Sequence, residues 1–297
     1  MNARTPSDDS NRPDQGSGGP TARRIIVGAQ LRRLREAAGI TRADAGYAIR
    51  GSESKISRLE LGRVGFKERD VQDLLTMYGV LDPGERDAVM AMVARSNERG
   101  WWHRFADLMP SWFHDYVGLE ESASRILAYE LQFVPGLLQT EEYALAVASH
   151  GRPDLASDEV RRRVTLRMQR QKILHRPGAP KLWAVIDESV LRRPIGGRAA
   201  MRRQLDHLLE ITRMPHVTLQ VVPYPLSGYA AESAFTLLRF AEPDLPDVVY
   251  IEHLAGAMYL DRPDEIETYS RVFDRLMVDA ETPDRSRQML AKVRLDL

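Results

Sequence analysis

The chain has 297 residues, 43% of them hydrophobic, no cysteine, and 42 basic side chains balanced by 42 acidic ones. That apolar share excludes a wholly disordered polypeptide, and the missing thiols exclude disulfides, thiol catalysis and Cys-ligated zinc. No apolar run reaches the ~18 residues of a membrane span, and no hydrophobic signal core opens the chain, so a cytoplasmic protein of about two domains is expected.

Residues 1–22 are polar and rich in Ser, Gly, Pro and Asp, which predicts a mobile tail. Between Arg23 and Tyr78 twelve basic residues face seven acidic ones, so a basic segment of net +5 sits on a mildly acidic remainder. Such asymmetry is the electrostatic footprint of a tethered nucleic-acid binder. Ile26, Leu31 and Leu34 recur at helical spacing, and Ala38-Gly39 supplies a stop. Thr41 suits the N-cap of a second helix running to about Ile49, with Asp44 three residues on. Ser52 suits the cap of a third, in which Ile56 and Leu59 point inward. Val71, Leu74 and Leu75 predict a fourth helix ending near Gly79, and Pro83 to Ser96 a fifth. The expected organisation is a helix-turn-helix unit at 23–79, a connecting helix at 80–99 and a larger domain at 100–297.

Past a boundary near Asn97 to Gly100 comes an aromatic stretch, GWWHRFADLMPSWFHDYVGLE. Helices are expected around Ser122–Tyr129, Thr140–Ser149, Asp158–His175, Ala199–Thr212 and Asp264–Asp279. Short β-branched runs at Leu182–Ile186, Val217–Val222, Phe235–Phe240 and Val248–Ile251 predict strands. The fold class is therefore α+β overall: an all-α helix-turn-helix bundle followed by a larger α+β domain with a small sheet, whose strand order is not readable.

The segment Thr41 to Arg63, TRADAGYAIRGSESKISRLELGR, carries the chemistry. In a helix-turn-helix the two helices cross so closely that a small residue is needed in the first, and Gly46 between Ala45 and Ala48 fills that place. Glycine in a helix costs about 1 kcal/mol relative to alanine, so close packing gives a reason to keep it. Ile49, Ile56 and Leu59 would form the wedge, leaving Glu53, Ser54, Lys55, Ser57 and Arg58 on the outer face of a helix that fits the major groove. The segment resembles XRE-type, lambda-repressor-like helix-turn-helix domains, whose last helix ends much as SKISRLE-x-GR does. That resemblance implies base-facing roles for Glu53, Ser54 and Arg58. Phosphate contacts are expected from Arg42, Lys55, Ser57, Arg63 and Lys67. Arg42 stands where Gln is common, and Arg50 stands where the turn usually has glycine, with Gly51 one residue later, which predicts a shifted or strained turn.

The resemblance continues through YELQFVPGLLQTEEYA, LWAVIDESVLRRPIGG, VTLQVVPY and FTLLRFAEPDLPDVVYIEH. These blocks are similar to the second domain of a large actinobacterial regulator family, described as antitoxin-like or developmental, whose genes often adjoin one for a small partner protein. The partners to weigh are double-stranded DNA, a second copy in a homodimer, that small protein as the resemblance implies, and a small-molecule effector; no cofactor and no membrane are expected. Trp101, Trp102, Trp112, Phe113 and Tyr116 suit either an effector pocket or interface, or anchorage of the linker on the core, the latter favoured. Loop 223–235 reads as a ligand-covering loop or an ordinary crossover.

Catalysis is disfavoured. Acidic pairs occur at Glu120-Glu121, Glu141-Glu142 and Asp187-Glu188; neighbours on a strand face opposite ways, so Asp187 and Glu188 would act together only where the strand has ended, and Glu252-His253 after an apolar strand is the best acid–base candidate. HExxH, GxSxG, P-loop and dinucleotide fingerprints are missing, and the histidines lack metal-ligand spacing.

Overall fold

The structure, a computed structural model, describes residues 20–151, 156–225, 232–243 and 245–297. The tail expected at 1–22 thus lies almost wholly outside the described residues, as does 226–231 of the 223–235 loop.

The amino-terminal bundle consists of α1 (Pro20–Ala37), α2 (Arg42–Ala48), α3 (Glu53–Glu60), α4 (Glu68–Met77) and α5 (Pro83–Ser96). Both expected caps form: the amide of Asp44 donates to Thr41 Oγ1 at 3.1 Å, and that of Lys55 to Ser52 Oγ at 3.2 Å. Each hydroxyl thereby satisfies one of the orphan donors of a helix start. Val27, Leu31, Ala45, Ile49, Ile56, Leu59, Val71, Leu74 and Leu75 form one core, so the apolar periodicity of each helix points inward.

A 3₁₀ turn at Trp101–Phe105 leads to α6 (Ser111–Ser122) and then to the first strand, β1 (Arg125–Glu130). This corrects the helix expected around Ser122–Tyr129. The segment is a central strand buried on both faces, so it lacks the apolar–polar alternation that identifies a strand, and its Leu, Ala and Glu favour helix. Next come α7 (Glu141–Gly151), α8 (Ser157–Gln171), β2 (Lys181–Asp187), the short α9 (Glu188–Arg192), α10 (Arg198–Ile211), β3 (Val217–Val222), β4 (Phe235–Arg239) and β5 (Val248–His253). The chain ends with β6 (Gly256–Leu260), α11 (Pro263–Asp279) and α12 (Pro283–Asp296).

The six strands form one sheet in the order β3-β2-β1-β4-β5-β6. β1, β2 and β3 are parallel, whereas β4, β5 and β6 continue as an antiparallel meander. One face, with Ile126, Leu182, Ala184, Ile186, Leu219, Leu238 and Tyr250, packs on side chains of α6, α10 and α12. The other, with Tyr129, Val185, Phe235, Leu237, Val249 and Ile251, packs on Phe273 and Leu276 of α11. Helices thus sandwich the sheet, and the protein is α+β, with a helical amino-terminal region followed by a mixed region. No described helix is long and apolar enough to cross a membrane.

Candidate nucleic-acid interface

α2 and α3 cross at Gly46. A Cβ built there would lie 2.8 Å from the Ser52 carbonyl carbon and 3.1 Å from the Glu53 amide nitrogen, so any side chain would force the turn open. Ile49, Ile56 and Leu59 are buried as the wedge. The turn is strained rather than shifted: Arg50 has φ 52°, the only positive φ at a non-glycine position among the described residues, while Gly51 has no such conformation. Beyond α3, Gly62 adopts φ +65° against the backbone of Ile25 in α1, and Gly28 of α1 sits under the last carbonyls of α3. The recognition-type helix is therefore clamped by glycine contacts at both ends.

The outer face of α3 presents Glu53, Ser54 and Arg58 to solvent, with Ser57 half-buried beside them. The Arg58 Nε lies 3.4 Å from the Ser54 carbonyl one turn back. Arg63 and Lys67 are exposed beyond the helix. Two of the expected phosphate contacts are engaged inside the protein. Lys55 Nζ is 2.6 Å from Asp70 of α4. Arg42 Nε donates to Glu60 Oε2 at 2.9 Å.

Glu60, at the end of α3, is buried and also receives the buried Arg35 of α1 through both of its oxygens. The Glu60 hydrogen bond raises the Arg35 pKa further above its ordinary value, against the lowering effect of burial. One carboxylate thus ties α1, α2 and α3 together. Sequence reasoning passed over this hub, and also Tyr47, which stands 87% exposed on α2. A tyrosine on the outward face of a helix whose inward positions are Ala45 and Gly46 was the available signal.

The aromatic stretch is structural in its packing. Trp102, Phe105, Leu108, Met109 and Val117 form a small core with Leu166 of α8, and Trp101 and Phe113 lean on it. Trp101 Nε1 donates to Glu121 at 3.2 Å. Trp112 packs against the large core, and Tyr116 is buried with its ring 4.1 Å from that of Tyr250.

The acidic pairs Glu120-Glu121 and Asp187-Glu188 are likewise engaged. Glu120 takes both ends of the Arg170 guanidinium at 2.8 Å and the Tyr116 hydroxyl at 2.9 Å. Burial pushes the Tyr116 phenol well above its ordinary pKa, and the Glu120 charge adds to this. Glu121 holds Arg176. Asp187 caps α9 through the Ser189 amide at 2.8 Å, and Glu188 takes Arg192 and the Tyr224 amide. Glu252 accepts from the Tyr250 hydroxyl at 3.0 Å, whereas the exposed His253 ring accepts from the turn amide of Ala255 at 3.4 Å. Among the described residues no cluster of His, Asp and Glu suited to a metal ion occurs.

Residues 26–89 match the family model described as a helix-turn-helix domain, and residues 113–292 match the one described as a domain of unknown function, DUF5753. No enzyme family is found. Neither the curated proteins nor the solved structures contain a match. The second model spans more than half of the chain, which therefore belongs to the DUF5753 family and carries a helix-turn-helix domain ahead of that region.

Proposed function

We propose that this protein is a sequence-specific, DNA-binding transcriptional regulator of the XRE type that acts in the cytoplasm as a homodimer, with the carboxy-terminal domain as its controlling half. The observation that carries the reading is the outer face of α3: a capped helix, wedged against α2 at Gly46, that leaves Glu53, Ser54 and Arg58 uncovered. Arg58 suits bidentate pairing with guanine O6 and N7, and Ser54 and Glu53 flank it for neighbouring base edges. Arg63, Lys67 and Ser57 are placed to meet phosphates, and the Tyr47 phenol is a further donor for the backbone. Arg42 and Lys55 reach phosphates only by sharing or leaving the carboxylates that hold them. A two-fold dimer would present two copies of α3 to half-sites about one DNA turn apart. The large domain would serve a small-molecule effector or a small protein encoded nearby, the latter in the antitoxin-like manner of the family it resembles.

The test is fluorescence anisotropy on the DNA upstream of the protein's own gene and on a scrambled duplex, across a salt series. Wild-type protein is expected to favour the upstream DNA by about a hundredfold or more with a steep salt slope. Arg58→Ala is expected to cost about 1–3 kcal/mol on that DNA and to relax preference at one base pair. Equal losses on both duplexes would remove Arg58 from base reading.

A further inference from the structure

The β1 end of the sheet holds charged groups that none of the foregoing uses. Glu130 closes β1, on the same face as Ile126 and Ala128. The registers β1–β4 and β4–β5 align Ala128 with Thr236 and Thr236 with Tyr250. Continued by two residues, they set Glu130 and Glu252 on one face, two strands apart, with Ala234 between them. Neighbouring strands lie about 4.8 Å apart, so the two backbones are separated by about 10 Å, and the strand between them contributes only the methyl group of Ala234.

Glu130 is half-buried: it sits among many protein atoms and keeps part of its surface open to solvent. Its carboxyl group receives no hydrogen bond and forms no ion pair among the described residues. It therefore sits at the inner end of an open recess, with the exposed Glu252 at the outer side. Arg167 of α8 is enclosed to a similar degree, and one of its terminal nitrogens donates to Gln139 Oε1 at 3.0 Å. Arg167 feels the charges of both Glu130 and Glu252, and no ion pair closes the distance to either. A half-buried arginine that shares a recess with Glu130 and Glu252 and pairs with neither leaves its charge only partly met, which is costly unless something bridges the groups.

The position also fits the general rule for open sheets. Ligands gather at the carboxyl ends of parallel strands where the strand order turns, and β1 is the strand at which this sheet changes from parallel to antiparallel.

We infer that this recess binds a free α-amino acid, the ammonium group lying between Glu130 and Glu252 and the carboxylate on the spare N–H donors of Arg167. Both charges of the zwitterion are required, because the recess offers carboxyl groups on the sheet side and a guanidinium on the helix side. The Tyr250 hydroxyl, which donates to Glu252, orients that carboxylate. The inference gives the controlling half of the proposed regulator its ligand class, and only the consequence for DNA rests on that reading.

Proton linkage supplies a signature. Burial first, and the nearby Glu252 second, push the Glu130 pKa up to about 8, against the pull of Arg167. Glu130 is therefore mostly protonated in the empty recess at neutral pH, and an ammonium group arriving there drives its proton off. The titratable and charged neighbours are Glu252 from β5, Arg167 from α8 and Tyr143 from α7.

The experiment is isothermal titration calorimetry on the full-length protein without DNA, using each standard L-amino acid with its N-acetyl and carboxamide forms as controls. At least one amino acid is expected to bind, both blocked forms at least about tenfold more weakly, and the binding to release protons between pH 6 and pH 8. Glu130→Gln and Arg167→Met should each weaken it at least about tenfold, and Glu130→Gln, which replaces a mostly uncharged carboxyl group with a neutral amide of the same shape, should melt no lower than wild type. Failure of every amino acid to bind, equal binding of the blocked forms, or wild-type affinity in both variants would each overturn the inference. A bound amino acid that leaves DNA affinity unchanged would keep the site and reject its role in control.

Discussion

Two carboxylates hold the cations on and around α3. Asp70 holds Lys55 at 2.6 Å on the flank of α3, so that lysine enters a phosphate contact only by giving up its partner. Asp70→Asn should free it. The expected result is tighter binding on specific and scrambled duplexes alike, with the salt slope steeper by about one charge; an unchanged slope would mean that Lys55 lies away from the DNA. Glu60 acts on folding instead. It is the common acceptor for Arg35, whose side chain is 8% exposed, and for Arg42. Removing one partner of a buried pair leaves an uncompensated charge, so Glu60→Ala should destabilise the helical bundle by about 3–5 kcal/mol in urea unfolding. Arg35→Met placed in the same chain should return much of that loss. These pairings were not legible in the sequence, because Arg35 and Glu60 are 25 positions apart and nothing local marks either as buried. The identities on the outer face of α3 were legible, because helical spacing from Ile56 and Leu59 fixes which positions remain outside.

At the scale of elements, the helix-turn-helix was readable because each of its signals is local. Thr41 and Ser52 cap, Gly46 makes the close approach, and Ile49, Ile56 and Leu59 fill the space between. Even the substitution of arginine for the usual turn glycine left a readable consequence, since Arg50 takes up the left-handed conformation at φ 52°. An L-residue there costs about 1–2 kcal/mol, and glycine returns part of this through its freer unfolded chain. Arg50→Gly should therefore stabilise the protein by about 0.5–1 kcal/mol in urea unfolding, the exposed side chain losing no packing; a destabilised variant would show that the guanidinium does more than occupy the turn. The strands were legible where β-branched residues cluster, as in β3 and β5. β1 was not, because a strand buried on both faces has no alternation, and β6 was missed because Gly256, Ala257 and Met258 carry little β-propensity. The position of Glu130 at the end of a central strand could not be read while that segment was taken for a helix.

At the scale of the molecule, α1 is the member that both halves share. Its Val27 and Leu31 lie in the helix-turn-helix core, whereas Ile25 packs against the core of the large domain. α6 meets it at Gly118, where an added Cβ would lie 2.2 Å from Thr21 Oγ1 and 3.0 Å from the Trp102 ring. α6 also carries Tyr116 and Glu120, and Glu120 holds Arg170 of α8, one helical turn from Arg167. A continuous set of contacts therefore runs from the recess beside Glu130 through α8 and α6 to α1, and from α1 through Gly28 and Gly62 to the end of α3. Contiguity alone does not establish coupling, so the α1–α6 contact has to be broken by itself. Gly118→Ala drives a methyl group into Thr21 and should cost about 1–3 kcal/mol by overpacking. Because the clash lies between the halves, the large domain should keep its own melting transition while the helix-turn-helix detaches from it. Faster proteolysis within residues 97–100 and a loss of any effector response in DNA affinity are the expected readouts. Thr21→Gly in the same chain opens room for the methyl group and should restore both. Intact effector response in a Gly118→Ala protein whose linker is cleaved faster would show that control of DNA binding takes another route than α1.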